Sequence, residues 1–83
     1  MIKIYKDGKV IYEIDPDVLR RMAAGVLAEG DNDFAVEAHL IGFKRDEQKA
    51  FYIISNELGY ELEDIINLDF NNTDEDEYKI YQE

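Results

Sequence analysis

Apolar and polar positions change period several times along this chain, and each change marks an element. Over residues 2–14, IKIYKDGKVIYEI, the period is two. Ile2 and Ile4 share one face, Lys3 and Tyr5 the other. On the return, Val10, Tyr12 and Ile14 alternate with Ile11 and Glu13. Asp7-Gly8 between the two runs is a pair favoured in type I′ turns, whose central residues both need positive φ. A β-hairpin is predicted. From residue 15 the period becomes helical. Asp15 is the expected N-cap, and Pro16 stands at N1, where its missing N–H costs nothing. Val18, Leu19, Met22, Ala23, Val26 and Leu27 then recur at i, i+3/i+4 and i+7/i+8 as far as Gly30. This helix is expected to pack on one face of the hairpin, with Arg20 and Arg21 on its polar side.

Residues 46–60, DEQKAFYIISNELGY, carry the clearest helical stripe. Asp46 is read as the N-cap, and Ala50, Phe51, Ile54 and Leu58 as the buried line, widened by Ile53. Gly59 follows where a left-handed residue ends a helix. Residues 33–43, DFAVEAHLIGF, admit two readings. A strand would align Phe34, Val36, Ala38 and Leu40. A helix capped by Asp33 would bury Phe34, Ala38 and Ile41. Two alanines, few β-branched residues and Gly42 as a stop favour the helix. Residues 61–68 predict another short helix with Leu62, Ile65, Ile66 and Leu68 inside, and Glu61, Glu63 and Asp64 outside. Residues 69–77 have no period and read as a polar loop. Tyr78 to Tyr81 alternates again, as a last strand pairing with the hairpin. The expected fold is α+β: one domain over residues 1–83, with a small antiparallel sheet of hairpin plus C-terminal strand, and three or four helices packed on it.

Charge changes this picture most. Twenty acids oppose nine bases, a net of −11. Residues 1–45 hold eight acids and seven bases, a net of −1; residues 46–83 hold twelve acids and two bases, a net of −10. Direct contact with nucleic acid or with an anionic membrane is disfavoured, because both need Lys and Arg. A basic protein partner is favoured. With no cysteine there is neither a disulfide framework nor a thiolate metal site. No signal peptide and no membrane span is read in the chain, so a cytoplasmic location is expected.

Candidate chemistry is sparse. One histidine (His39), one serine (Ser55) and one threonine (Thr73) are present. Ser55 lies inside the central helix, where a nucleophilic arrangement with His39 is not expected. No phosphate loop or dinucleotide fingerprint occurs. Asp69, Asn71, Thr73 and Glu75 or Asp76 imitate the alternating oxygens of a calcium loop. The sixth position is Asp74 rather than glycine, however, and the twelfth is Ile80 rather than glutamate. An enzyme is not expected, and no cofactor or metal is. The central helix, Gly59 and the following helix outline a helix-turn-helix, but its reading helix would offer Glu61, Glu63 and Asp64 to phosphates.

The remaining candidate is the acidic surface itself: Glu57, Glu61, Glu63, Asp64, Asp69, Asp74, Glu75, Asp76 and Glu77. Such a set can stand where phosphates stand and give fast, salt-sensitive association with a basic groove. In size and charge the chain resembles the small acidic inhibitors of phages and mobile elements, anti-CRISPR and anti-restriction proteins among them; no motif carries functional positions over residue by residue. That resemblance implies a non-enzymatic inhibitor of a nucleic-acid-handling protein. The alternative is a small helix-turn-helix-like regulatory or structural protein. A lesser candidate is a tyrosine-bearing sheet surface made by Tyr5, Tyr12, Tyr78 and Tyr81.

Overall fold

Asp7 and Gly8 take φ of 53° and 79°, the two positive values that a type I′ turn requires. The computed structural model describes residues 1–83, and this turn joins β1 (Ile2–Lys6) to β2 (Lys9–Ile14). The last strand, β3 (Tyr78–Gln82), pairs antiparallel with the other side of β1, giving the order β2-β1-β3. Ile4 faces Tyr12 on one side and Ile80 on the other; Ile2 faces Ile14 and Gln82. Ile2, Ile4, Ile14 and Ile80 are all buried. Beyond the strands, the backbones of Met1 and Glu83 exchange hydrogen bonds of 2.8 and 2.9 Å.

One hairpin expectation is corrected. Ile4 pairs with Tyr12 but Tyr5 pairs with Val10, so Ile11 is an extra residue in β2. This bulge reverses the alternation beyond it. Val10 therefore joins the Tyr5 face instead of Tyr12 and Ile14, and is 41% exposed. The tyrosines divide in the same way. Tyr5 and Tyr81 meet edge to face on the outer surface at 5.6 Å, whereas Tyr12 and Tyr78 pack against the core.

Helix α1 (Pro16–Glu29) begins as expected: the Asp15 carboxylate accepts from the Asp17 N–H at 2.8 Å, and Gly30 ends it at φ 60°. Leu19, Met22 and Ala23 are buried, but Leu27 is 48% exposed. At 100° per residue Leu27 lies about 80° round the helix from Leu19, at the margin of the stripe. The closest backbone neighbours of α1 are α4 (Leu62–Ile66) and α2 (Asp33–Leu40). It is α3 (Arg45–Tyr52) that lies against β2, a correction to the expectation for α1. Arg20, although exposed, is not idle: its Nε donates to the Ile66 carbonyl at 3.1 Å, closing the end of α4.

The helical reading of residues 33–40 holds, but its cap and its buried side are corrected. Asn32, not Asp33, is the cap, its Oδ1 accepting from the Ala35 N–H at 3.1 Å. The docked side is Val36, His39 and Leu40. Phe34 and Ile41 are 85% and 71% exposed, and Ala38 is exposed with them. The reason lies on α1. The His39 ring rests directly on Gly25, where an added Cβ would come within 2.0 Å of Nε2. Phe43 holds the same ring edge-on at 5.3 Å.

Helix α3 starts at Arg45 with Lys44 at the cap position, so Asp46 is not the N-cap. The carboxylate comes from further in: Glu47 Oε1 accepts from the Lys44 N–H at 2.9 Å, the return half of a capping box. After Tyr52 the coil widens to a π-helical turn, Ile53–Glu57, in which the Leu58 N–H reaches back to the Ile53 carbonyl at 2.8 Å. Ala50, Phe51 and Ile54 are buried, as the stripe predicts, and Gly59 reverses the chain at φ 73°. Helix α4 is shorter than residues 61–68. Glu61 is its cap residue, and Leu68 at φ 53° lies past its end. Twelve side chains, drawn from every strand and helix and from the π-helical turn, form one buried cluster. No helix is long and apolar enough to cross a membrane.

Candidate functional site

The segment that follows Gly59 is held by side chains gripping backbone. Tyr60 stands edge-on to Phe70 at 5.3 Å. Its hydroxyl donates to the Asn71 carbonyl at 2.9 Å and accepts from the Asn71 N–H at 3.0 Å. Next, the Asn72 amide clasps the free edge of β3, accepting from the Ile80 N–H at 2.7 Å and donating to the Ile80 carbonyl at 2.8 Å. The tip closes with Asp76 Oδ2 accepting from the Thr73 N–H at 3.0 Å, while the Lys79 ammonium donates to the Thr73 carbonyl. Residues 69–77 are thus a loop without period yet with a defined course.

This course decides where the nine predicted carboxylates go. Asp64 of α4 and Asp69 and Asp76 of the loop lie near enough to Tyr60 for their charges to act on it. Its hydroxyl is raised above the usual tyrosine range, chiefly by burial, with the charges of Asp76, Asp69 and Asp64 adding and the Asn71 N–H opposing. Glu61 follows directly at the cap of α4, with Glu63 exposed two residues on. Glu57 ends the π-helical turn, and Asp74 and Glu75 stand exposed on the loop. Glu77 leaves the group: Lys6 Nζ pairs with it at 3.1 Å at the sheet. The other two ion pairs are Lys3–Glu83 and Arg20–Asp17, so the remaining eight carboxylates form no ion pair within the chain; the nearby cations Lys79 and Arg20 bond backbone carbonyls, at Thr73 and Ile66. No three acids or histidines come close enough together to hold a metal ion.

Beside this acidic segment lies an apolar groove of about 430 Å³. Val26 of α1, Val36 and Leu40 of α2, and Phe51 of α3 supply its lining. Ser55 and Asn56 of the π-helical turn, then Tyr60 and Glu61, supply its polar part. Tyr60 belongs to both features, lining the groove while its hydroxyl holds the Asn71 backbone and feels the charges of the aspartates. A second, shallower apolar patch occupies the outward side of α2, at Phe34, Ala38 and Ile41.

The residues considered for catalysis are otherwise engaged. The Ser55 hydroxyl donates to the Phe51 carbonyl at 2.9 Å, a local bond of the kind that loosens a helical ladder. His39 Nε2 is buried against α1 with no hydrogen-bond partner. The two share no bond. The groove was not anticipated from sequence, since five segments supply it. The nearest local signal was an aromatic residue placed directly after the Gly59 turn. The chain matches no protein-family model, no curated protein and no solved structure.

Proposed function

We propose that this protein is a non-enzymatic interaction module that engages a basic protein surface through the carboxylates of α4 and the loop after it. In its sharpest form it is an inhibitor made by a phage or mobile element, of the anti-CRISPR or anti-restriction kind. It acts in the cytoplasm by standing where a nucleic acid's phosphates would stand on a nucleic-acid-handling protein. One observation carries the reading: eight of the nine carboxylates, from Glu57 to Asp76, form no ion pair within their own chain. Charges left unpaired on a small domain do little for its stability. They do speed encounter with an opposite charge and select against like-charged partners.

The test is reversal of exposed members of the set, Glu61→Lys, Glu63→Lys and Asp69→Lys together; Asp64 is spared because it is half-buried. A low-salt pull-down from nuclease-treated bacterial lysate, eluted by a salt step and read by mass spectrometry, is expected to capture nucleic-acid-binding proteins with the native chain. With the triple variant that capture should fall at least tenfold, at unchanged circular dichroism. Undiminished capture by the variant removes the acidic surface from the function. The alternative, a helix-turn-helix-like regulator, predicts retention on duplex DNA at low salt. None is expected, since α4 and its flanking turns, residues 59–69, carry four carboxylates and no Lys or Arg.

A further inference from the structure

We infer that the groove between α1, α2, α3 and the π-helical turn is a docking site for a basic amphipathic segment of the partner protein. Such a segment carries apolar anchors at helical spacing with Lys or Arg beside them. This rests on the reading above and names the part of the partner that is bound. Three observations lead to it.

The groove has a true apolar lining. Leu40 and Phe51 are buried in the core, and Val26 and Val36 are half-buried above them. At about 430 Å³ it falls at the small end of the ~300–1,000 Å³ range of sites that enclose ligand groups. Apolar anchors entering it would be removed from water, and this part of the interaction does not fade with salt.

The one charged group on its polar side is an anion, Glu61, and the charges of Asp64, Asp69 and Asp76 reach the lining residue Tyr60. No Lys, Arg or His is among the lining residues. An acidic or lipid-phosphate occupant would meet carboxylates with no compensating cation. An occupant with Lys or Arg flanking its anchors satisfies both the apolar and the charged parts. A helix laid in a groove with anchors at i, i+3/i+4 is a recurrent way to meet such a demand.

The walls are also fixed before anything binds. Tyr60 is held from behind by Phe70 and at its tip by Asn71. Helix α2 is seated by His39 on Gly25. The π-helical turn, a feature found often at functional sites, supplies Ser55 and Asn56 where the groove opens. A preformed site loses less freedom on binding than one that must be ordered.

The experiment uses displayed random peptides of about four helical turns, selected on the native protein. Enriched peptides are then compared on Asn56→Trp, which fills the opening from an exposed position, and on Glu61→Lys. Peptides with paired apolar anchors and net positive charge are expected, bound at least tenfold more weakly by each variant. In methyl spectra they should shift Val26, Val36 and Leu40. Circular dichroism of both variants guards against misfolding, and the methyl map on the native chain stands without them. Basic peptides that lack anchors and bind Asn56→Trp undiminished would overturn the groove while leaving the acidic reading intact. Enriched peptides that are neutral or acidic would overturn both. Methyl shifts centred on Ile41 would move the site to the outer patch of α2 and overturn the groove, as would the absence of any enrichment.

Discussion

The outer face of the sheet and the groove end of the helices both expose aromatic and charged side chains, yet they differ in how these are matched. On the sheet, Tyr5 stacks on Tyr81 and donates to Glu83 at 2.6 Å. Lys3 pairs with Glu83, and at the sheet's opposite face Lys6 pairs with Glu77 while lying over the Tyr78 ring. Each of these polar groups has found a partner within the chain. At the groove end the aspartates near Tyr60 form no ion pair, and the apolar lining has no side chain filling it. A surface matched internally has little left to offer another molecule. One left unmatched marks where recognition is directed.

The comparison breaks most sharply at Gly25. Replacement by alanine drives a methyl into His39 Nε2 and unseats α2, with an expected loss of about 2–3 kcal/mol in chemical denaturation. Adding His39→Ala to Gly25→Ala should recover much of that loss, because the obstruction is gone and alanine favours the helix. No recovery would mean that Gly25 serves something other than the imidazole. Next is Asn72→Ala, which strips two bonds from the Ile80 edge at an expected cost of about 1–2 kcal/mol. It also bares a strand edge, so light scattering should report self-association that the native chain lacks.

Much of the fold was legible because its signals are local. Asp7-Gly8 sets the hairpin, Asp15-Pro16 and Gly30 bound α1, and the stripe from Ala50 to Leu58 needs nothing outside itself. What was not legible depends on partners. The Ile11 bulge is a property of two paired strands, and a sequence alternation cannot show where one strand slips. Helix α2 has apolar residues on both sides. Phe34, Ala38 and Ile41 are as hydrophobic as Val36 and Leu40, and the choice was made by a glycine on another helix. The acidic charge could be counted, but that Asp64, Asp69 and Asp76 act on Tyr60 while Glu77 pairs with Lys6 depends on the loop's course, set by its bonds to Tyr60 and Ile80.

Alkali sharpens the contrast from the other direction. Tyr60 is raised by burial, and Tyr5 chiefly by its hydrogen bond to Glu83. Lys6 is raised chiefly by its hydrogen bond to Glu77. In all three the folded protein holds its proton more tightly than the unfolded chain. Their contribution is therefore complete below about pH 10, where unfolded tyrosine begins to ionise, and is lost as pH rises through the folded values. In a tyrosinate absorbance titration Tyr5 and Tyr60 should ionise above the ordinary tyrosine value. If Tyr60 ionises at that ordinary value, it is not enclosed as described. The smallest effect is expected of Lys6→Met. Glu77 then joins the unmatched carboxylates with no resolvable change in melting temperature, and salt dependence of partner binding grows slightly.

Tyr60 also gives the molecule an optical property. The chain has no tryptophan, so its ultraviolet emission comes from tyrosine alone. One of those emitters sits at the lip of the groove within reach of carboxylate charges, where its brightness responds to whatever displaces water or neutralises charge nearby. Arrival of an occupant would thus be visible in the protein's own light, without a label.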